Sequence, residues 1–138
     1  MSAGPSDAGR TPPEGFAPLA SKSPFINRIG TFYVRKGADG SRTVGAYVEE
    51  IRTNSESYAH GGFLLAFADF ALSIVTNGIT VNITADFLRP ARAGDWIEAR
   101  INIRKSSAAL IFADAILVSG EHELMRVGGL FRPFEKKS

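Results

Sequence analysis

A chain of 138 residues has room for one domain with a sizeable core, and a composition 44% apolar and 22% charged is ordinary for a globular protein. Sixteen Lys and Arg are scattered among fourteen Asp and Glu, a net charge of +2, with no basic block to hold nucleic acid. Without cysteine there are no disulfides, thiolate nucleophiles or Cys-based zinc sites, and His60 and His122 stand too far apart in sequence for metal-ligand spacing.

Residues 1–15, rich in Pro, Gly and Ser, have the composition of a disordered arm, which leaves 16–138 as the expected domain. Residues 1–20 carry no apolar run of the secretory kind, so the cytoplasm is the expected address. Ser23-Pro24 reads as the cap and first position of a short helix. Ile29–Arg35 and Arg42–Glu50 read as a hairpin turning at Gly37 and Gly40, with Val44, Ala46 and Val48 on one face.

The stretch from Asn54 to Thr76 follows. From Phe63 to Val75 it is apolar on every side except at Asp69, which predicts a buried helix over about residues 60–76. At 18 residues, about 27 Å, it is too short and too interrupted to span a bilayer, which needs about 20 apolar residues. Asn77-Gly78 predicts its stop.

Beyond the helix, Ile79, Val81, Ile83, Ala85 and Phe87 alternate with Thr80, Asn82, Thr84 and Asp86, the pattern of a strand with one wet face. Ile97, Ala99, Ile101 and Ile103 mark the next strand. Ala108–Val118, apolar on both faces apart from Asp114, belongs centrally in the sheet. Glu121–Arg132 is the last strand, where Gly128-Gly129 marks a bulge or a close backbone approach. Strands joined by tight turns, with one long apolar helix, predict an α+β fold: a single antiparallel sheet curled around that helix.

Chemistry concentrates on the helix. Asp69 is its only side chain able to serve as base or nucleophile. The unpaired N–H groups of Gly61 and Gly62, at the positive end of the helix dipole, can hold charge developing on a carbonyl oxygen. Gly61 and Asp69 stand eight residues apart, about 12 Å of helix rise, so one copy cannot present both to the same carbon. Two antiparallel helices about a two-fold axis could. A purely structural role for Asp69, as a hydrogen-bond or ion-pair partner, stays open, as does a turn-forming role for Asn54. His60 reads as a residue that shapes the helix start rather than as a base.

Asn54, His60-Gly61-Gly62 and Asp69 form the pattern N-x5-HGG-x6-D, followed by FLRPARAGD. The pattern resembles that of hotdog-fold thioesterases of the phenylacetic-acid-pathway and human thioesterase-superfamily type, from about Phe32 to Phe134. The resemblance implies hydrolysis of acyl- or aryl-CoA thioesters without a further cofactor, by a homodimer at least and commonly by a homotetramer built as a dimer of dimers. It implies Asp69 as base or nucleophile, the Gly61 N–H on the thioester carbonyl, Asn54 orienting water or carbonyl, and Thr80 assisting. Two departures stand out. Ser57 occupies a position that is often glycine, and Ala108-Ala109 replace basic residues that help hold CoA phosphates. That leaves Arg89, Arg92, Arg104 and Lys105 as candidate phosphate partners, beside Gly62 in the motif itself. A non-catalytic acyl-CoA-binding module and a hydratase or dehydratase are the rivals on this fold. The last needs a His near its acid, which this helix lacks.

Overall fold

The computed structural model describes residues 10–134. In chain order the elements are β1 Ala17–Leu19, α1 Pro24–Arg28, β2 Phe32–Lys36, β3 Arg42–Tyr47, a 3-10 turn Glu50–Arg52, α2 Gly61–Thr76, β4 Gly78–Phe87, β5 Trp96–Ser106, β6 Ile111–Ser119 and β7 His122–Pro133. The seven strands form one antiparallel sheet in the order β1-β2-β3-β5-β6-β7-β4, and α2 packs across its inner face. The helix wrapped by a single sheet is the hotdog arrangement expected from the sequence.

The inner face collects the alternating apolar positions. Val44, Ala46, Ile97, Ala99, Ala113, Ala115, Leu117 and Val127 are all buried, facing Phe63, Leu64, Phe67, Ala68, Ala71 and Leu72 of α2. Each large side chain buried this way contributes about 1.5–3 kcal/mol. Phe32 ties β2 to the helix, its ring stacked 5.7 Å from that of Phe67 and close to those of Phe63 and Phe70. The helix is not enclosed on all sides, however. Leu65, Ala66, Asp69, Phe70 and Ser73 are only half-buried, because one sheet covers one side of a helix.

Several boundaries differ from the sequence reading. β2 starts three residues later than expected, because the Ile29 N–H bonds back to Phe25 and Ile26 to close α1, and Gly30 then turns with φ +117°. Ala108–Leu110 belong to a turn closed by the Ser107 N–H and the Leu110 carbonyl (2.9 Å), so β6 begins only at Ile111. It does lie inside the sheet, between β5 and β7. Asn77, not Gly78, takes the left-handed C-cap conformation (φ 52°). Gly128-Gly129 stay in register with β6 and β4. The close approach is real at Gly129, where a Cβ would lie 2.4 Å from the Phe131 ring.

The largest difference is in β4. Strict alternation would put Ile79 and Val81 inside and Thr80 outside, yet Ile79 and Val81 are 49% and 48% exposed. Thr80 pairs with Phe131 and Asn82 with Leu130, so Val81 is an extra, bulged residue. A bulge reverses the facing of the residues before it. Thr80 therefore turns toward the helix while Ile83 and Ala85 keep their core positions.

The two sheet edges contrast. β1 is three residues long and contains Pro18, and the adjoining Phe16 packs edge-on against Trp96 at 5.0 Å. Residues 10–15, expected in the N-terminal arm, lie against the same corner: the Tyr47 hydroxyl donates to the Thr11 carbonyl (2.8 Å) and Arg10 stacks over Tyr47. The rest of that arm, residues 1–9, lies outside the described residues. β4, ten residues long, pairs only with β7 among the described residues.

Candidate active site

The helix start is built by short-range hydrogen bonds. His60 is the N-cap of α2: its Nδ1 accepts from the Gly62 N–H (2.8 Å), and its carbonyl accepts from Leu64 N–H (3.0 Å). An accepting Nδ1 is unprotonated, so the ring serves as a cap. A Cβ at Gly62 would stand 3.0 Å from that Nδ1, which is why this position suits glycine. Of the two glycine N–H groups expected to face a ligand, Gly62's is thus committed to His60. Gly61 N–H keeps no hydrogen-bond partner among the described residues, and the groove beside Gly61 is where that donor is free to act.

Asn54 organises the loop that leads into the cap. Its Oδ1 accepts from the N–H groups of Glu56 (2.9 Å) and Tyr58 (3.1 Å), and its own N–H donates to the Tyr58 carbonyl. The turn-forming role left open by the sequence is therefore present, and it occupies only the carbonyl end of the side chain. Ser57 closes the loop with φ +65°, so the position noted in the sequence as a departure from the resembled pattern has the left-handed backbone that favours glycine.

Arg52 anchors this end of the molecule, and sequence reasoning missed it. The residue is 2% exposed, and its guanidinium donates to the carbonyls of Ile29 (2.6 Å), Tyr47 (2.6 Å) and Thr31 (3.1 Å). It also pairs with Glu49 at 3.6 Å and lies against the faces of Phe32 and Phe63. Its backbone carbonyl accepts from the His60 N–H (2.8 Å), which ties the N-cap to the α1–β2 and β3 segments. In sequence Arg52 is one more charge after Glu49-Glu50, with no periodic signal of burial.

Asp69 lies half-buried two turns further along α2, and Thr80 Oγ1 donates to its Oδ1. The bulge at Val81 places that hydroxyl there. Asp69 and Thr80 thus form one pair, and Asn54, Gly61 and Arg89 share a groove of about 300 Å³ with Phe87 and Leu88. The groove that holds Asn54 and Gly61 is lined by neither Asp69 nor Thr80.

The candidate phosphate partners separate in the same way. Arg89 donates to His122 Nδ1, and Arg92 lies over the Tyr58 ring, both near the Asn54 loop. Arg104 and Lys105 instead border a hollow of about 650 Å³ on the outer sheet face, opposite the helix. There Arg104, itself bulged out of β5, is paired with Asp114 at 2.7 Å. Among the described residues no cluster of His, Asp and Glu is suited to a metal ion, and no helix is long and apolar enough to cross a membrane.

A helix N-terminus with a free glycine N–H, a capping His and a carboxylate two turns on belong to a known lineage. The thioesterase superfamily model matches residues 56–125, which spans the cap, Asp69 and Thr80. The chain belongs to the thioesterase superfamily. A proposed esterase of Pseudomonas aeruginosa is 34% identical over 127 residues, covering 86% of this chain and 95% of that protein. The phenylacetic acid degradation protein PaaI of Thermus thermophilus, solved as a point mutant, superposes with a TM-score of 0.73 at 27% identity, over 81% of this chain and all of that one. A hypothetical thioesterase protein of Streptococcus pneumoniae, solved with coenzyme A, shares the fold, with a TM-score of 0.74 at 18% identity over 82% and 93% of the two chains. In this thioesterase-superfamily chain, His60-Gly61-Gly62 opens α2 and Asp69 lies two turns further along it, with the buried Arg52 behind the helix start.

Proposed function

We propose that this protein hydrolyses acyl- or aryl-CoA thioesters in sites shared between two copies of the chain. One observation carries the proposal: the free N–H of Gly61 and the carboxylate of Asp69, to which Thr80 of β4 donates, lie on the same helix, about 12 Å apart by helix rise, in separate surroundings. Each chain therefore offers two half-sites. The free, apolar edge of β4, where Ile79, Val81 and Phe87 are about half exposed, suits pairing with a second β4. Such a dimer brings Asp69 of one copy toward Gly61 and Asn54 of the other, and two dimers make the tetramer.

In the composite site the thioester oxygen accepts the Gly61 N–H, and the Asn54 amide nitrogen, free of the loop's hydrogen bonds, orients water or carbonyl. With Asp69 as base, its carboxylate takes a proton from water as the water oxygen adds to the carbonyl carbon. Charge on the carbonyl oxygen falls on the Gly61 donor. Collapse breaks the C–S bond, the thiolate leaves, and the proton held by Asp69 returns to solvent or thiolate. With Asp69 as nucleophile the same collapse yields an anhydride that water then opens. A single turnover in 18O-water separates the two, since only the second route labels Asp69. The groove beside Arg89 and Arg92 suits the phosphates of CoA, and the Streptococcus pneumoniae relative binds CoA on the same fold.

The test is thiol release from a panel of acyl-CoA and acyl-carrier-protein thioesters, with enoyl-CoA hydration run in parallel. Release from CoA thioesters above the background rate is expected. Tight binding of acyl-CoA without release would identify a binding module instead, and hydration without release a hydratase.

A further inference from the structure

A second hollow opens on the other side of the helix start. It has a volume of about 380 Å³ and lies between α1, the 3-10 turn and the first turns of α2. Phe25, Ile51, Phe63 and Ala66 supply apolar walls, and His60 with Gly62 forms the side shared with the N-cap. Gly61, between those two residues, borders the Asn54–Arg89 groove. A thioester carbonyl seated on the Gly61 N–H therefore has a groove carrying Asn54 and Arg89 on one side and a hollow without a free cation-bearing wall on the other. That is the polarity of an acyl-CoA, whose charged phosphates and apolar acyl group lie on opposite sides of the thioester.

Two further observations set the occupant. Arg52 forms part of the floor, but its guanidinium is already bonded to three carbonyls and paired with Glu49, so it has little charge to offer an incoming carboxylate. The rim is Phe25 and Ile51, 59% and 74% exposed, which gives the hollow an apolar entrance. A cavity of roughly 150 Å³ accommodates one benzene ring. The larger volume here suits a ring with a short linker or an unbranched chain of medium length.

Building on the thioesterase reading above, we propose that this hollow is the acyl pocket, taking a neutral apolar acyl group, with Phe25, Ile51 and Ala66 as the residues that set its size. An apolar pocket discriminates by about 10-fold or more per misfitting methylene. Ala66→Leu, which fills the hollow from a helical position, should lower kcat/KM for hexanoyl- and phenylacetyl-CoA by at least about tenfold and leave acetyl-CoA within about threefold. Ile51→Ala, at an exposed position that cannot upset the core, should lower the preference of hexanoyl- over acetyl-CoA by about threefold to tenfold.

Binding is read separately by calorimetry, with S-hexyl-CoA compared with CoA itself. The wild-type protein should bind the thioether at least about tenfold more tightly, and Ala66→Leu should remove most of that difference. Loss of activity with every thioester while this binding pattern holds would sink the hydrolysis reading and keep the pocket. Equal effects on acetyl- and hexanoyl-CoA, or no preference for S-hexyl-CoA, would overturn the pocket and leave hydrolysis standing. Dissociation of the oligomer by Ile51→Glu would also overturn it, since the apolar rim would then be a subunit contact.

Discussion

The two halves of the candidate site are built in opposite ways. The Asn54–Gly61 half is assembled inside one chain: Asn54 closes its loop, His60 caps the helix, and the buried Arg52 holds three backbone segments behind them. The Asp69–Thr80 half rests on one side-chain hydrogen bond and one bulged residue, beside a free edge strand. The first half is rigid without help. The second is positioned by an edge that a second copy can cover, so under the two-chain proposal catalysis would be tied to assembly and the donor half to folding. Variants in the two halves should therefore fail in different ways.

The largest effect is expected at Asp69. Asp69→Asn should lower kcat by about 10²–10⁴-fold, the usual contribution of a positioned base, with KM changed by less than about threefold. Because Asp69 is half-buried and bonded to a single hydroxyl, melting temperature should hardly move. Steady-state kinetics with a cleaved acyl-CoA decide this, and undiminished turnover would remove Asp69 from the chemistry.

Arg52→Met should do the reverse. It removes the guanidinium that pairs with Glu49, 7% exposed, and the donors of three carbonyls. Breaking a buried pair from one side costs about 3–5 kcal/mol, a large share of a domain's stability. Urea unfolding measures it, and a loss under about 1 kcal/mol would mean the clamp is not what holds the helix start. Arg52→Met protein that stays folded should keep the Thr80–Asp69 hydrogen bond, because it lies two turns further along α2.

Most of the fold was legible in the sequence because its two periodicities are clean. Ile97-Ala99 and Val44-Ala46-Val48 alternate as they should, and the apolar run from Phe63 to Val75 could only be the helix at the centre. What was not legible came from backbone irregularity and from long-range polar contact. Nothing in the string I-T-V-N-I-T-A announces a bulge at Val81, because an extra residue preserves the local alternation while reversing what it faces. The half-open side of α2 was hidden for a related reason, since an apolar side chain left half-exposed reads in sequence the same as one enclosed by a core. Arg52 was invisible because its partners are carbonyls of residues up to 23 positions away. Ser57 was noticed only as a departure from the family's pattern, and its positive φ supplies the physical meaning.

If the halves do come from different chains, they can be traded. Asp69→Ala and Asn54→Ala subunits, each impaired alone, should regain activity when mixed and allowed to exchange. In each mixed two-fold dimer one site carries both lesions and the other neither. Random assortment makes half of the dimers mixed, so roughly a quarter of all sites become wild type. Activity should rise above both parents toward that fraction. Mixing that merely averages the parents, after exchange has been verified by mass spectrometry, would place both halves of each site within one chain.

The smallest effect should come from Ser57→Gly, and it is a stabilising one. A side chain held in the left-handed region costs roughly 1–2 kcal/mol, and glycine avoids that cost. Glycine in turn loses more backbone freedom on folding, about 0.5–1 kcal/mol. The difference leaves a gain of about 0.5–1 kcal/mol, or a few degrees in Tm for a domain of this size. The Asn54 hydrogen bonds that shape the loop run to the backbone N–H groups of Glu56 and Tyr58, which the substitution leaves in place. Turnover should accordingly stay within about twofold of wild type, since the oxyanion donor at Gly61 is fixed by the His60 cap and the Arg52 clamp rather than by Ser57. A drop in Tm would mean that the Ser57 side chain contributes more than its backbone strain costs. A drop in kcat without a drop in Tm would mean that the loop must stay strained for the donor to point correctly, and the rigid half of the site would then depend on its one unfavourable residue.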